Sequence, residues 1–176
     1  VKLFYNKQGI YLAAKLFDNP DLMMNQLTKR DEFGQTDYFT FILNPNNDAQ
    51  NDTQFIVFSS GVQADAISSP SIGQDFGWNA VWESAVIKTE FGWQLELMIP
   101  YRSLRFPKTD IQTWGVQFRR FFRRERAEYA WNPIDPTKGY EGIYHGELTG
   151  IKNLTPPLRL NLYPFTTALG NQIGNQ

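Results

Sequence analysis

Cysteine is absent from the chain and histidine occurs once, as His145. Disulfide frameworks, thiolate zinc sites, cysteine nucleophiles and clusters of imidazole ligands are therefore excluded. The lack of cysteine says nothing about compartment, because reducing and oxidising surroundings both tolerate it. An excess of charge is missing as well. Seventeen basic residues against eighteen acidic ones leave a net charge of -1, so no overall field draws the protein to nucleic acid or to an anionic membrane, and any basic site must be local. No apolar run approaches the ~18 residues of a helical membrane span. The first residues, "VKLFY", carry neither a signal peptide nor an initiator Met and already have the pattern of a strand, which marks the sequence as a mature or excised segment of something longer.

Helical periodicity is the last absence: no stretch of ten residues sustains a 3.6-residue apolar stripe, whereas period-two alternation recurs wherever the chain is apolar. With 41% hydrophobic and 15% aromatic residues in 176, the chain suffices for one sizeable core and one domain. "DYFTFILN" places Phe39, Phe41 and Leu43 on one face and Tyr38, Thr40 and Ile42 on the other, so both faces are candidates for cover. "TQFIVFSS" returns after a polar connection, as the second strand of a hairpin does. "GWQLELMIP" alternates most cleanly, with Trp93, Leu95, Leu97 and Ile99 inward and Glu96 outward. Phe91-Gly92 reads as the tight turn joining it to a strand "AVWESAVIKTE", and Asn19-Pro20 and Pro100 introduce short helical turns. Further strands are expected at "WGVQFRRFFRR", "EYAWNP" and "HGELTGI". Strands at this spacing, with Gly and Pro between them, predict an all-β fold, an antiparallel β-sandwich. The domain is expected over residues 1–165, and the polar, Gly-rich residues 166–176 as a linker.

Several of these segments together resemble one family. "YLAAKLFDNP", "TDYFTFILNPNNDAQNDTQFIVFSSGVQADA", "WNAVWESAVIKTEFGWQLELMIPYRSLRF", "WGVQFRRFFRRERAEYAWNP" and "GELTGIKNLTP" are similar to the family-9-like carbohydrate-binding domain, a jelly-roll or DOMON-type β-sandwich. The version they resemble stands near the N-terminus of large Gram-negative outer-membrane β-barrel proteins, where "LYPFTTA" would lead into the barrel. The resemblance implies a non-catalytic sugar-binding module of an outer-membrane-associated protein, on the periplasmic or cell-surface side. Relatives are attached to glycoside hydrolases. In sugar-binding relatives two aromatic side chains clamp a terminal sugar and calcium braces the sandwich.

The residues offer candidates for each part. In "DFGWNAVWE", Trp78 follows Gly77 in an apparent loop, rich in Ser, Pro and Gly, while Trp82 lies in strand sequence. A flat indole buries apolar area against the C–H face of a pyranose, so Trp78 is the first candidate platform and Trp82 a core residue. Trp131, beside turn residues in "YAWNP", is the second platform; Trp93 and Trp114 read as core. Gln74, Asp75 and Asn79 are polar neighbours that would order sugar hydroxyls. In "NPNNDAQND", Asn46, Asp48 and Asp52 concentrate oxygen ligands suited to Ca²⁺, though Asn, Asp and Pro are also what plain hairpin loops use. Asp18, Asp31 and Asp37 could complete such a site. "FRRFFRRER" interleaves arginines with aromatics, but its charges split between two strand faces, and pairing with Glu96, Glu125 or Glu128 explains them better than nucleic acid does. Glu83 and Glu96 lie on strands expected to pair, and two facing carboxylates are how glycosidases work; nothing in the sequence fixes their separation, and a hydrolase fragment stands as the third reading. A domain that packs against its own barrel or a partner complex, binding no sugar, is the second. His145 reads as a strand-end surface or hydrogen-bonding residue.

Overall fold

Alternation along each strand decides which side chains point inward, and two antiparallel sheets close over them in the computed structural model, which describes residues 1–157. The smaller sheet has the order β1-β2-β8-β7, from β1 (Lys2–Tyr5), β2 (Gly9–Phe17), β7 (Glu83–Thr89) and β8 (Gly92–Pro100). The larger runs β10-β9-β3-β4-β5-β6, from β3 (Tyr38–Asn44), β4 (Asp52–Phe58), β5 (Gln63–Ser69), β6 (Gly73–Asp75), β9 (Ile111–Phe122) and β10 (Ala127–Ala130). The last strand, β11 (Gly146–Lys152), also pairs with β9, beyond the end of β10. Short 3₁₀ turns at Tyr101–Ser103 and Glu141–Tyr144 supply the only helical backbone among the described residues. The expected linker over 166–176, and the approach to a barrel through "LYPFTTA", lie outside the described residues.

The core forms where the inward faces meet. Ile10, Leu12, Ala14 and Leu16 of β2 and Trp93, Leu95, Leu97 and Ile99 of β8 pack against Phe39, Phe41 and Leu43 of β3, Phe55 and Val57 of β4 and Trp114 and Val116 of β9. Register aligns the rings: Phe41 stands opposite Phe55 on one side and Phe118 on the other, and its ring stacks on that of Phe118 at 5.6 Å between centroids. The other face of the large sheet is covered too, as the alternation in β3 predicts, around Ile56, Phe58 and Ala64 with Tyr38 and Phe76 against them. Gly92 makes the β7–β8 turn at φ 130°, where a Cβ would collide with the Leu16 carbonyl oxygen at 2.2 Å, so only glycine fits.

Three local expectations need correction. The Ser-, Pro- and Gly-rich stretch read as loop ahead of Trp78 contains the short strand β6, paired with the end of β5, and the residues just before it, to which no strand was assigned, form β5, whose small side chains Ala64 and Ala66 are buried. The strand read from Ala80 begins only at Glu83, since Trp82 turns inward ahead of it. After Asn19-Pro20 the chain makes a hydrogen-bonded turn, with Leu22 N–H donating to the Asn19 carbonyl, rather than a helix.

The arginine-rich strand is neutralised on both faces. On the core side Arg120 and Arg124 converge on Asp18, whose side chain is 2% exposed, at 3.4 and 2.8 Å. Burial alone would raise the Asp18 carboxyl, but its hydrogen bonds and the two guanidinium groups hold it below the usual carboxylate range. On the outer face Arg119 pairs with Glu128 at 3.2 Å and with Glu141. Glu96 takes no part, because it belongs to the other sheet and faces away from it.

A Phe41→Ala chain should lose about 3–5 kcal/mol of unfolding free energy in urea titration, the usual cost of a large core cavity. Ile87→Ala, on an exposed site of β7, should change it by less than about 0.5 kcal/mol.

Candidate functional site

One end of the sandwich is open, because the hairpin loop between β3 and β4 and the segments after β5, β6 and β8 project past the core there. They enclose a cleft of about 310 Å³. Asn46 and Asn51 come from the β3–β4 loop, Ser69 from the end of β5 and Ile72 from the turn after it, Trp78 from the segment before β7, and Ser103 and Arg105 from the chain leaving β8. Thr53 and Ile67, on the core-facing side of the large sheet, also line it, and Asp52 and Ser68 do so from the side that meets the outer face of that sheet.

Trp78 is fixed from behind. Its ring meets Phe55 edge-on, 6.2 Å between centroids at 72°, and Phe55 is fully buried. The segment that carries it is held by Asp65, whose side chain points from β5 into the core and is inaccessible to solvent. Asp65 accepts the Ala80 N–H at 2.6 Å and the Trp82 indole N–H at 3.2 Å, and it pairs with Arg30. Arg30 also donates to the Ala80 carbonyl at 3.1 Å, and the Ser103 hydroxyl donates to the Val81 carbonyl at 2.7 Å. A buried carboxylate is tolerated only when its lone pairs are filled by donors, and here those donors are the groups that set the path from Ala80 to Trp82. One ring is therefore presented and its neighbour is core: Trp78 is half-buried at the cleft, and Trp82 is 5% exposed against Phe55.

The sequence candidates do not all meet. Trp131 follows β10 at the opposite edge of the large sheet, 57% exposed, with its ring tilted on Phe118. Four strands, β9, β3, β4 and β5, separate that edge from β6. Gln74 donates to Gln54 at 2.6 Å on the outer face of the large sheet. Asp75 accepts the Gly77 N–H, and Asn79 donates to the Gly77 carbonyl; both are exposed and shape the turn just ahead of and behind Trp78. Asn46 lines the cleft. The Asp48 carboxylate accepts from Asn44, from the Gln50 and Asn51 N–H groups and from the Asn51 amide, so it caps its own loop. Asp52 accepts from Asn44 at 3.1 Å and from the Tyr140 hydroxyl at 2.7 Å. Among the described residues no group of three His, Asp or Glu side chains is placed to hold a metal ion. Asp31 accepts the Asp65 N–H and Asp37 the Arg123 N–H, each tying strands or loops together. Glu83 and Glu96 sit diagonally on neighbouring strands of the small sheet, both exposed and neither in the cleft.

Ser103, Arg105, Ser69 and Asn51 were not singled out by sequence. The buried polar layer behind the cleft was not either. Gln54 donates to Ser68 at 2.8 Å, Ser68 bonds Tyr140 at 3.0 Å, and Tyr140 donates to Asp52. His145, expected at the surface, has a side chain only 3% exposed, lies 3.5 Å from Asp52 and makes no hydrogen bond through either ring nitrogen. Burial pushes the Asp52 carboxyl up to about 6 and the His145 imidazole below its ordinary value, so both are driven toward their neutral forms.

No family model matches the chain, and no curated protein does. Solved structures do. A family-9 carbohydrate-binding module from Caldicellulosiruptor kristjanssonii in complex with glucose superposes with a TM-score of 0.60 at 14% identity, covering 89% of this chain and 78% of that one. The same description in complex with cellotriose gives a TM-score of 0.59 at 13% identity, covering 92% and 78%. A candidate carbohydrate-binding protein from Bacteroides uniformis gives 0.65 at 12%, covering 84% and 75%. At such identities the likeness is one of architecture: the fold is that of a family-9 carbohydrate-binding module.

Two measurements follow. Asp65→Ala leaves the Trp82 N–H, the Ala80 N–H and the Arg30 guanidinium without their acceptor, and should cost about 3 kcal/mol in urea unfolding. The pH dependence tests Asp52. Its folded pKa lies above the unfolded one, so between about pH 4 and 6 the folded chain keeps a proton that the unfolded chain releases, and stability falls as pH rises through that window. Relative to the unchanged protein, Asp52→Asn should gain up to about 3 kcal/mol between pH 4 and 7, read as the difference between their unfolding free energies at each pH.

Proposed function

We propose that the protein is a non-catalytic carbohydrate-binding module whose ligand enters the cleft at the end of the sandwich and lies against Trp78. The supporting observation is the cleft itself: a core-anchored indole forms one wall, amide and hydroxyl side chains from other segments face it, and the volume stands at the small end of the ~300–1,000 Å³ typical of ligand pockets. An indole held by Phe55 loses little freedom on binding, so the area buried against a sugar's C–H face is not offset by a cost of ordering the ring. Asn46, Asn51, Ser69 and Ser103 offer both donors and acceptors to hydroxyls, and Arg105 offers the paired donors that bridge neighbouring oxygens. A cleft of this size suits the end of a neutral oligosaccharide better than the middle of a long chain. That structures of the same fold are described in complexes with glucose and cellotriose agrees with this class of ligand.

The test is a glycan array with the purified chain, followed by titration of any hit by tryptophan fluorescence with and without calcium. Trp78→Ala should weaken binding at least about tenfold and leave the far-ultraviolet circular dichroism unchanged, whereas Trp131→Ala should bind as the unchanged chain does. Dependence on calcium would assign Asn46 and Asp52 to a cation. Binding that survives Trp78→Ala would remove the cleft from the site.

A further inference from the structure

A second hollow, more than twice the volume of the cleft, is a shallow groove of about 710 Å³ over the outer face of the small sheet. Apolar side chains are left in the open there: Phe17 is 67% and Ile87 63% exposed, beside Ala13 and Ala85. Charges on this face are sorted by sign. Lys2 and Lys15 stand on β1 and β2, and Glu83 and Glu96 on β7 and β8. Among the described residues none of the four makes an ion pair, although the Lys15 ammonium lies 5.6 Å from the centre of the Phe91 ring.

We propose that this face is a homodimer interface, in which two copies pack sheet to sheet about a twofold axis running parallel to the strands between β2 and β8. Such an axis lays β2 of each copy over β8 of the other, and β1 over β7. The basic half of one face then meets the acidic half of its twin, which is what a self-complementary twofold interface requires. The pairing register carries this to individual residues. Lys2, Ala13, Glu96 and Ala85 form one row across the sheet, and Lys15, Gln94 and Ile87 the next. The axis therefore brings Lys2 of one copy over Ala85 of the second, beside its Glu96, and Lys15 over Gln94, one row from the same glutamate. Phe17 stands opposite Gly92 in the β2–β8 pair, so the twofold sets each exposed ring above a residue with no side chain. An axis perpendicular to the strands would instead lay basic half on basic half.

Strand spacings of ~4.8 Å and rises of ~3.3 Å give the face roughly 19 Å by 26 Å, so a pair of copies buries about 1,000 Å² or somewhat more, near the lower limit for specific association. The dimer is thus concentration-dependent. Sedimentation equilibrium of the whole chain up to about 1 mM, where even a millimolar Kd populates dimer, should show mass rising toward twice the monomer value. Ile87→Lys and Glu96→Lys, each of which sets a new cation against the basic half of the partner, should each raise the dissociation constant at least about tenfold, and adding Lys15→Glu to Glu96→Lys should recover association relative to either single change. All three positions are solvent-facing, and an unchanged urea midpoint confirms that each variant folds. A monomer at every concentration, or a dimer indifferent to Ile87→Lys and Glu96→Lys, overturns the proposal.

Discussion

The Asp65 carboxylate is the constraint from which the candidate site is built. It sits on the inward side of β5, where the pleat would otherwise place an apolar residue, and its oxygens are occupied by the Trp82 indole, the Ala80 amide and Arg30. Those three donors come from segments that have no strand partner of their own. Without the carboxylate nothing in the ladder would dictate how the chain travels from β6 to β7. With it, Trp82 is drawn into the core, and Trp78, four residues earlier, is left at the rim against Phe55 with part of its ring uncovered. A buried charge that organises irregular backbone in this way is held by geometry rather than by net stabilisation, since desolvation consumes much of the Coulombic gain.

The two sheets treat their outer faces differently, and that difference divides the molecule into working surfaces. The large sheet is covered on both sides, by the core on one and on the other by the cluster around Ile56, Phe58 and Ala64 and, toward the cleft, by Tyr140, which joins the polar network of Gln54, Ser68 and Asp52. Burial there favours neutral partners linked by hydrogen bonds, which is why Asp52 titrates high while Asp18, gripped by two arginines, titrates low. The small sheet is covered on its inner side alone, and its outer face keeps exposed apolar side chains between rows of charge. The cleft at the end of the sandwich meets the polar network at Asp52 and Ser68.

The all-β fold was written in local pattern. Period-two alternation in Phe39, Phe41 and Leu43, and in Trp93, Leu95, Leu97 and Ile99, assigns inward faces with no knowledge of their partners, because the pleat forces successive side chains to opposite sides. The same rule placed Trp93 and Trp114 in the core and left Glu96 outside it. The family likeness drawn from the order of motifs agrees in architecture with the solved structures of family-9 modules. Residue types alone also singled out Trp78 as a platform and Asn46 and Asp52 as calcium ligands, and all three line the cleft.

What tertiary structure alone decided is which distant residues share a surface. Asn46, Trp78, Ser103 and Arg105 are dispersed over sixty positions of sequence yet close one cleft, and no local pattern encodes loops that meet only through the sheets beneath them. Trp131 satisfied the same sequence criterion as Trp78, but strand order carried it to the opposite edge. His145 resembled a surface residue until the chain preceding it folded over the large sheet and buried it beside Asp52. Alternation fixes the face a side chain points to, because that is a property of one strand. Neighbourhood depends on register, strand order and the buried carboxylate at Asp65, and those exist only once the sheets have assembled.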